Sequence, residues 1–243
     1  MAKRIAVVGA GMGGLCAAIL ARQAGHEVTI YEHAESVGGT WRANRYPGVA
    51  CDVPALLYQF SFAPNPLWSH NYARGNEIHA YTKSLVDQFG LAGSLHLNEG
   101  VTHASWDDSA RQWTIETEKG ETGTFDVLVP ALGQLSRPTF PDIAGVDDFA
   151  GPKWHAADWP AAADLAGKRV GVIGSAASAV QLIPEIAKEA AHLVVFQRTP
   201  NWCVPRNDLP VTPEMKMLLA TNIEAAMKLG AMQREMIFDQ ADV

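Results

Sequence analysis

The apolar positions at the start of the chain follow two different periods in turn. A short apolar run at Arg4–Val8 is followed by glycines, by apolar residues at helical spacing from about Gly13 to Ala24, and by a second apolar run at Glu27–Glu32. Short continuous apolar runs are typical of buried strands, and a longer periodic stretch is typical of a helix. The pattern therefore predicts a strand, a glycine turn, a helix and a second strand.

The same order of elements recurs in the second half of the chain. It predicts a strand at Lys168–Ile173, a turn over residues 174–179, a helix to about Ala190 and a strand at His192–Gln197. A strand–helix–strand unit with a glycine turn is half of a doubly wound sheet. We therefore expect an α/β fold with two Rossmann-like dinucleotide-binding domains.

The segments between the two repeats have other patterns. Residues 42–80 are rich in proline, glycine and aromatic side chains and are expected to form irregular loops around a site. Leu135–Pro160 has the proline-rich composition of a linker, and the apolar residues after Pro213 return to helical spacing. Residues 95–129 alternate apolar and polar side chains, which predicts antiparallel strands. The alternating positions are Trp113, Ile115 and Thr117, then Phe125, Val127 and Val129.

Composition and charge exclude several classes of protein. The 243 residues are 48% hydrophobic and 19% charged, as in an ordinary globular protein with a sizeable core. A net charge of −7 argues against nucleic acid as a partner, because phosphate binding needs a basic face. Cys16, Cys51 and Cys203 form no CxxC pair, so we expect neither a metal site nor a redox-active dithiol.

The N-terminus superficially resembles a signal peptide. Lys3 and Arg4 precede an apolar stretch, but four glycines interrupt it and it ends without a small-residue cleavage site. No other stretch is long and apolar enough to span a bilayer, and the odd number of cysteines suits a reducing compartment. We therefore expect a cytoplasmic protein with no membrane partner.

The first glycine turn has the spacing GxGxxG, formed by Gly9, Gly11 and Gly14. These glycines allow a tight turn, close approach of the backbone to a pyrophosphate, and close packing of helix on strand, and the helix N-terminus attracts the phosphates. Glu32 ends the second strand, where its carboxylate can accept hydrogen bonds from a ribose and would repel a 2′-phosphate. The site therefore favours FAD or NAD over NADP, and the second glycine loop at residues 38–41 favours FAD.

The second turn, Gly174–Ala179, is followed by a positive rather than a negative side chain at the end of its second strand. Its second strand is followed by Arg198 and Thr199, and an arginine can hold a 2′-phosphate through a bidentate contact, so this site favours NADPH. The alternative is that Arg198 is a solvated surface charge. Ala176 stands where a second glycine is usual, and its methyl group should weaken NADPH binding.

A spaced motif before the second turn is the most specific signal. Phe149, Gly151, His155, Trp159 and Pro160 form the pattern FxGxxxHxxxWP. This resembles the fingerprint of Baeyer–Villiger monooxygenases, whereas related N-hydroxylating and flavin-containing monooxygenases usually carry Tyr or Phe where the Trp-Pro pair stands. Further segments are similar to the same family: residues 45–48 with 51–52, residues 58–62, residues 131–133 after Asp126, and residues 196–208.

The resemblance implies site residues and a reaction. FAD would be contacted or flanked by Gly9, Gly11, Gly14, Glu32, Gly39, Thr40, Trp41, Asp52, Tyr58 and Val101. NADPH would be held by Gly174, Ser175, Ala176, Ser178, Ala179, Arg198 and Thr199. Asp52 would tune a flavin-side arginine, with a capping or salt-bridging Asp as the alternative. His155 would have a conformational role in the linker, with a satisfied interface histidine as the alternative.

The implied reaction inserts one oxygen atom from O₂ beside a ketone carbonyl, through a C4a-peroxyflavin, to give an ester or lactone. The alternatives are N- or S-oxidation by a flavin-containing monooxygenase, and a catalytically impaired FAD- and NADPH-binding fragment. The predicted regions are the N-terminal part of a flavin domain (1–135), a linker (136–167) and a partial NADPH domain with the start of a helical insertion (168–243). Family members are longer, so we expect an incomplete flavin domain that needs a partner or a further C-terminal segment.

Overall fold

The computed structural model describes residues 1–239, which form two compact units. One unit contains Met1–Ala43 and Ile78–Arg137, and the other contains Asn44–Glu77 and the chain from Pro138 onwards. The strands are β1 (Arg4–Val8), β2 (Glu27–Tyr31), β3 (Leu95–His96), β4 (Val101–Asp107), β5 (Gln112–Thr117), β6 (Thr122–Phe125), β7 (Val127–Pro130), β8 (Arg169–Ile173) and β9 (His192–Phe196). The helices are α1 (Met12–Gln23), α2 (Thr40–Ala43), α3 (Gly75–Gln88), α4 (Ala177–Ile186), α5 (Pro213–Thr221) and α6 (Ile223–Asp239).

The first unit is built on a parallel sheet with strand order β3-β2-β1-β7. Helix α1 connects β1 to β2 and buries Leu15, Ala18 and Ile19, whose spacing places them on one face of the helix. Val7 and Ile30, on the two central strands, are fully buried. The predicted α/β class and the first strand–helix–strand unit are therefore confirmed.

The alternating segment forms two structures. Strands β4, β5 and β6 make the predicted antiparallel sheet, but β7 pairs with β1 in parallel, with Ile5 opposite Val127. The antiparallel prediction was therefore wrong for Val127 and Val129, and also for Leu95–His96, because β3 pairs with β2 in parallel. A period of two marks a strand without fixing its partner or direction. Ile115 and Phe125 of the antiparallel sheet join Ala6 and Tyr31 of the parallel sheet in one core cluster.

Helix α3 begins inside the segment that was predicted to be irregular. Its start resembles half of a capping box, since the Glu77 carboxylate accepts a hydrogen bond from the backbone N–H of Arg74 (3.1 Å). Ile78, Tyr81 and Leu85 are buried at helical spacing. This periodic signal, together with the acid three residues after the cap, could have identified the helix from the sequence.

The second unit contains the second strand–helix–strand unit, with β8 and β9 parallel and joined by α4. Leu182 and Ile186 of α4 pack with Tyr46 and Leu165 in the core of this unit. The helix ends at Ile186 rather than near Ala190, and the chain continues in hydrogen-bonded turns. Helices α5 and α6 confirm the predicted helical end of the chain within the described residues.

No helix among residues 1–239 combines the length and the apolar character needed to cross a bilayer.

Candidate nucleotide-binding sites

The first glycine turn joins β1 to α1 through conformations that suit glycine. Gly9 has φ +106°, and its N–H donates to the carbonyl of Tyr31 at the end of β2 (2.8 Å). A methyl group on Gly9 would overlap with the carbonyl oxygen of Ala131, and one on Gly14 would overlap with the carbonyl oxygen of Gly9. These contacts explain why glycine stands at the first and third positions of the motif.

Glu32 follows β2 and lies against the same turn. The residue is 5% exposed, and its two carboxylate oxygens accept hydrogen bonds from the N–H of Ala10 (2.8 Å) and the N–H of Ala34 (3.0 Å). A carboxylate offers about four acceptor positions, so these two bonds and the contact of His33 Nδ1 with Oε1 (3.0 Å) still leave capacity for a ribose hydroxyl. Glu32 therefore shapes the glycine turn and presents a negative charge beside it.

The second glycine loop meets the first turn directly. The N–H of Gly38 donates to the carbonyl of Ala10 (2.9 Å). A Cβ on Gly39, which has φ +52°, would lie 3.0 Å from the Cα of Gly11, and one on Gly11 would lie 3.6 Å from the Cα of Gly39. Thr40 and Trp41 follow at once as the first residues of α2. The structure therefore brings both glycine loops and Glu32 together in the first unit.

The turn between β8 and α4 repeats this geometry. Gly174 has φ +105°, and its N–H donates to the carbonyl of Phe196 at the end of β9 (2.9 Å), as Gly9 donates to Tyr31. Nothing lies within 4 Å of a Cβ placed on Gly174, so this turn is more open than the first. Ala176, at the position that corresponds to Gly11, is exposed.

Both turns leave the N-terminus of a helix without a side-chain cap. Gly11 caps α1 and Ala176 caps α4, and neither makes a side-chain capping hydrogen bond within the described structure. By contrast, Thr212 caps α5 by accepting a hydrogen bond from the N–H of Met215 (3.2 Å). Uncapped first-turn N–H groups, reinforced by the helix dipole, fit the phosphates of a dinucleotide.

The segment between β9 and α5 is tied to the second turn. Asn201 Nδ2 donates to the carbonyl of Ser175 (2.6 Å) and to its Oγ (3.1 Å), and Gln197 Nε2 donates to the same Oγ (2.9 Å). Arg198 and Thr199 lie between these two anchors and are exposed. The network fixes the chain on both sides of Arg198, and sequence reasoning gave Gln197 and Asn201 no such role.

The remaining predicted flavin residues are divided between the units. Val101 begins β4 in the first unit, opposite Thr117, whereas Asp52 and Tyr58 belong to the second unit. Asp52 is exposed and follows Cys51, which is 2% exposed. Burial raises the pKa of the Cys51 thiol from 9.0 to about 11, so this thiol stays protonated beside Asp52 near neutral pH.

The fingerprint histidine has a local structural contact. His155 Nδ1 accepts a hydrogen bond from the N–H of Ala157 (3.0 Å) and so caps a short 3₁₀ turn at Ala156–Asp158. The ring of Trp159 packs edge-on against Trp154, with 5.6 Å between the ring centroids. The capping contact favours the structural interpretation of His155, and its conformational role stays a prediction.

The chain matches the model of the flavin-binding monooxygenase-like family over residues 2–237. It belongs to this family.

The relatives within the family include Baeyer–Villiger enzymes. A Baeyer–Villiger monooxygenase from Streptomyces coelicolor is 48% identical over 210 residues, which are 86% of this chain and 40% of that protein. Cyclohexanone monooxygenase from Rhodococcus sp. Phi1 bound to NADP⁺ is 38% identical with a TM-score of 0.83, over 93% of this chain and 43% of that one. The complex of OTEMO with FAD and NADP is 37% identical with a TM-score of 0.82, over 92% of this chain and 44% of that one.

These comparisons confirm the resemblance to Baeyer–Villiger monooxygenases and the two-dinucleotide flavoprotein fold class. The chain spans about 40% of the length of the Streptomyces relative.

Three side chains that could bind a metal ion lie close together near β3, and the sequence did not predict this group. His96, Glu99 and Glu121 each offer a ligand atom, and these atoms lie within 4.8 Å of one another. Lys119 Nζ lies 3.3 Å from Glu99 Oε2, and this ion pair already balances the buried carboxylate. Burial raises the pKa of Glu99, but Thr117, Lys119 and His96 together outweigh it and lower that pKa, so the group is explained as a charge cluster beside β3.

Proposed function

We propose that the chain is the nucleotide-binding part of an FAD- and NADPH-dependent monooxygenase of the Baeyer–Villiger type. One observation carries the proposal: two turns of the same geometry are followed by side chains of opposite charge. Glu32 comes directly after β2, and Arg198 comes two residues after the end of β9. An acid disfavours a 2′-phosphate and a guanidinium favours it, so the two turns suit different adenine nucleotides.

FAD fits the first turn. The uncapped N-terminus of α1 would face the pyrophosphate, and Glu32 would accept hydrogen bonds from the adenosine ribose. The close approach of Gly11 and Gly39 supports a continuous backbone cradle, since a side chain on Gly39 would fill it. Thr40 and Trp41 at the start of α2 would continue the site along the flavin, and Val101 would flank the adenine.

NADPH fits the second turn. The uncapped N-terminus of α4 would face its pyrophosphate, and the backbone of Ser175 and the Ser178 and Ala179 positions would lie along it. Arg198 and Thr199 would hold the 2′-phosphate, with Gln197 and Asn201 fixing the segment that carries them. The exposure of Arg198 leaves its guanidinium accessible to a ligand.

The flavin, when bound, supplies hydride acceptance from NADPH and reaction with O₂, which together permit insertion of oxygen beside a ketone carbonyl. The described residues bind and orient the two nucleotides. Asp52 would orient a cationic group beside the flavin. The substrate class, a ketone, follows from the similarity to Baeyer–Villiger and cyclohexanone monooxygenases.

We also infer a cytoplasmic location. Cys16, Cys51 and Cys203 are all free thiols, which suits a reducing compartment.

The test uses the purified chain with added FAD. We expect retained flavin, NADPH-dependent oxygen uptake, and lactone formation from cyclohexanone in preference to sulfoxide formation from a thioether. Glu32→Arg should abolish flavin retention, while Glu27→Arg, at an exposed residue at the far end of β2, should preserve it. Sulfoxide as the main product would favour a flavin-containing monooxygenase, binding without oxygen uptake would assign nucleotide binding alone, and absence of flavin binding would overturn the proposal.

A further inference from the structure

The side-chain amide of Gln181 holds a distant backbone segment through both of its polar atoms. Gln181 Nε2 donates to the carbonyl of Ala50 (2.9 Å), and Gln181 Oε1 accepts from the N–H of Ala50 (3.1 Å). The same oxygen accepts from the hydroxyl of Tyr46 (3.1 Å). The amide therefore pairs with Ala50 as a neighbouring strand would, although the two residues are 131 positions apart.

Alternate residues of the segment Tyr46–Ala50 contact helix α4. Tyr46 is buried in the core with Leu182, and Ala50 is paired with the Gln181 amide. Between them, Gly48 has φ +80°, and a Cβ there would lie 2.6 Å from the main-chain carbonyl oxygen of Gln181. Gln181 thus contacts the segment through both its backbone and its side chain. The absence of a side chain at Gly48 permits the close approach of the segment to the Gln181 backbone.

The other side of this segment is fixed by the first residue of α3 and by the chain just before it. The N–H of Gly75 donates to the carbonyl of Val49 (3.0 Å), and the N–H of Cys51 donates to the carbonyl of Ala73 (2.9 Å). Asp52 follows Cys51 immediately, so its backbone position is set by a segment held between α4 and residues 73–75. Gln181 provides the polar contacts on the α4 side.

Helix α4 connects this contact to the second glycine turn. The helix begins at Ala177, its N-cap residue Ala176 accepts a hydrogen bond from the N–H of Val180 (3.0 Å) through its carbonyl, and Gln181 follows Val180. An anion bound at a helix N-terminus stabilises the first turn. The helix is continuous from the glycine turn to Gln181, so ordering of its first turn would extend to the adjoining Gln181.

We propose that Gln181 is a positioning residue that couples nucleotide binding at the N-terminus of α4 to the loop that carries Asp52. This inference rests on the proposed NADPH site. Nucleotide binding orders the first turn of α4, Gln181 is held more firmly, and its amide pair with Ala50 opens less often. Asp52 is then fixed when the reductant is bound and freer when it is not.

The test is hydrogen–deuterium exchange of the full chain, with and without NADP⁺, followed in peptides that cover residues 46–52. The N–H of Ala50 reports on the amide pair directly. In the wild type, saturating NADP⁺ should slow its exchange. In Gln181→Ala, exchange without nucleotide should be roughly tenfold faster, the factor expected for loss of about 1.4 kcal/mol of hydrogen bonding, and NADP⁺ should no longer slow it.

Gln181→Glu keeps the side-chain size and the acceptor but places a carboxylate oxygen against the carbonyl of Ala50, so it should behave like Gln181→Ala. This variant keeps the test decisive if the alanine variant does not fold. Val180→Ala is the matched control, since Val180 is the neighbouring residue of α4 and its side chain is 42% exposed. It should retain the wild-type response.

Calorimetric titration with NADP⁺ separates the two possible failures. If the wild type binds NADP⁺ but residues 46–52 exchange equally in the wild type and both Gln181 variants, the coupling is wrong and the proposed function stands. If the wild type does not bind NADP⁺, the proposed nucleotide site is wrong, and the proposed coupling is then wrong as well.

Discussion

Gly11 and Ala176 hold corresponding positions in the two glycine turns and have almost the same backbone conformation. Gly11 has φ −75° and ψ −174°, and Ala176 has φ −77° and ψ −174°. Any residue adopts these angles without strain. The second turn therefore keeps the geometry of the first, and the difference between them at this position is one methyl group at the mouth of the site.

Removing that methyl group should strengthen nucleotide binding. We predict that Ala176→Gly lowers the dissociation constant for NADP⁺ by about three- to tenfold, or about 0.7–1.4 kcal/mol, because the backbone can then approach the pyrophosphate. Glycine is preferred over alanine at a helix N-cap, so stability should not fall. Calorimetric titration measures the change.

Ala177→Gly is the control, at the first residue of α4. It should give no gain in affinity. Equal affinities for the wild type and Ala176→Gly would show that the methyl group does not limit the approach of the ligand.

Two neighbouring glycines of α1 should respond oppositely to alanine. Gly14→Ala places a methyl group against the Gly9 carbonyl oxygen, and the free energy of unfolding should fall by about 1–3 kcal/mol or more, since neither backbone can yield easily. A Cβ on Gly13 has no atom within 4 Å. Gly13→Ala should therefore raise the free energy of unfolding by about 0.5–1 kcal/mol, because alanine has the higher helix propensity. Urea unfolding of both variants checks the pair, and similar changes in both would contradict the packing described for Gly14.

The hydrogen bonds of Glu32 give a third prediction. Glu32→Gln replaces one acceptor oxygen by a donor, so the N–H of Ala10 or of Ala34 loses its partner in a buried site. The free energy of unfolding should fall by about 1–3 kcal/mol, and flavin affinity should fall with it.

Glu35→Gln is the matched control, because the Glu35 side chain is 61% exposed and its carboxylate lies 3.2 Å from Arg42 Nη1 in a pair that is open to solvent on the Glu35 side. Its effect on the free energy of unfolding should stay within about 1 kcal/mol. If both substitutions have the same effect, Glu32 does not hold the turn.

The raised pKa of Cys51 predicts its reactivity and an effect of pH on stability. At pH 8 iodoacetamide should label the exposed Cys203 and leave Cys51 unmodified, as mass spectrometry would show, while in urea both should react. The folded pKa of about 11 lies above the ordinary 9.0, so burial of the neutral thiol contributes its full stability below pH 9 and loses it as the pH rises towards 11. Cys51→Ala should weaken that alkaline decline, and rapid labelling of Cys51 in the folded protein would contradict its burial.

Much of the fold could be predicted because its signals are local. The glycine spacings, the apolar runs and the acid or arginine after each second strand lie within short windows, and both strand–helix–strand units follow from them. The direction of β7 could not be predicted, because Val127 and Val129 alternate in the same way in a parallel or an antiparallel strand.

Other contacts could not be predicted because they join distant parts of the chain. The amide of Gln181 pairs with Ala50 across 131 positions, and Asn201 reaches Ser175 across 26. A lone amide side chain has no local pattern that indicates its partner. Such contacts become visible only when the packing of the helices and loops is known.

The central claim is that the second turn selects its nucleotide by the charge of Arg198. The most direct measurement is the ratio of the dissociation constants for NAD⁺ and NADP⁺ in the wild type and in Arg198→Glu, with Arg169→Glu, at an exposed residue at the far end of β8, as control. We predict that the wild type and the control prefer NADP⁺ by roughly 10- to 100-fold, the value of a charge-assisted contact, and that Arg198→Glu loses or reverses the preference. Equal affinities in the wild type, or an unchanged preference in Arg198→Glu, would contradict the account.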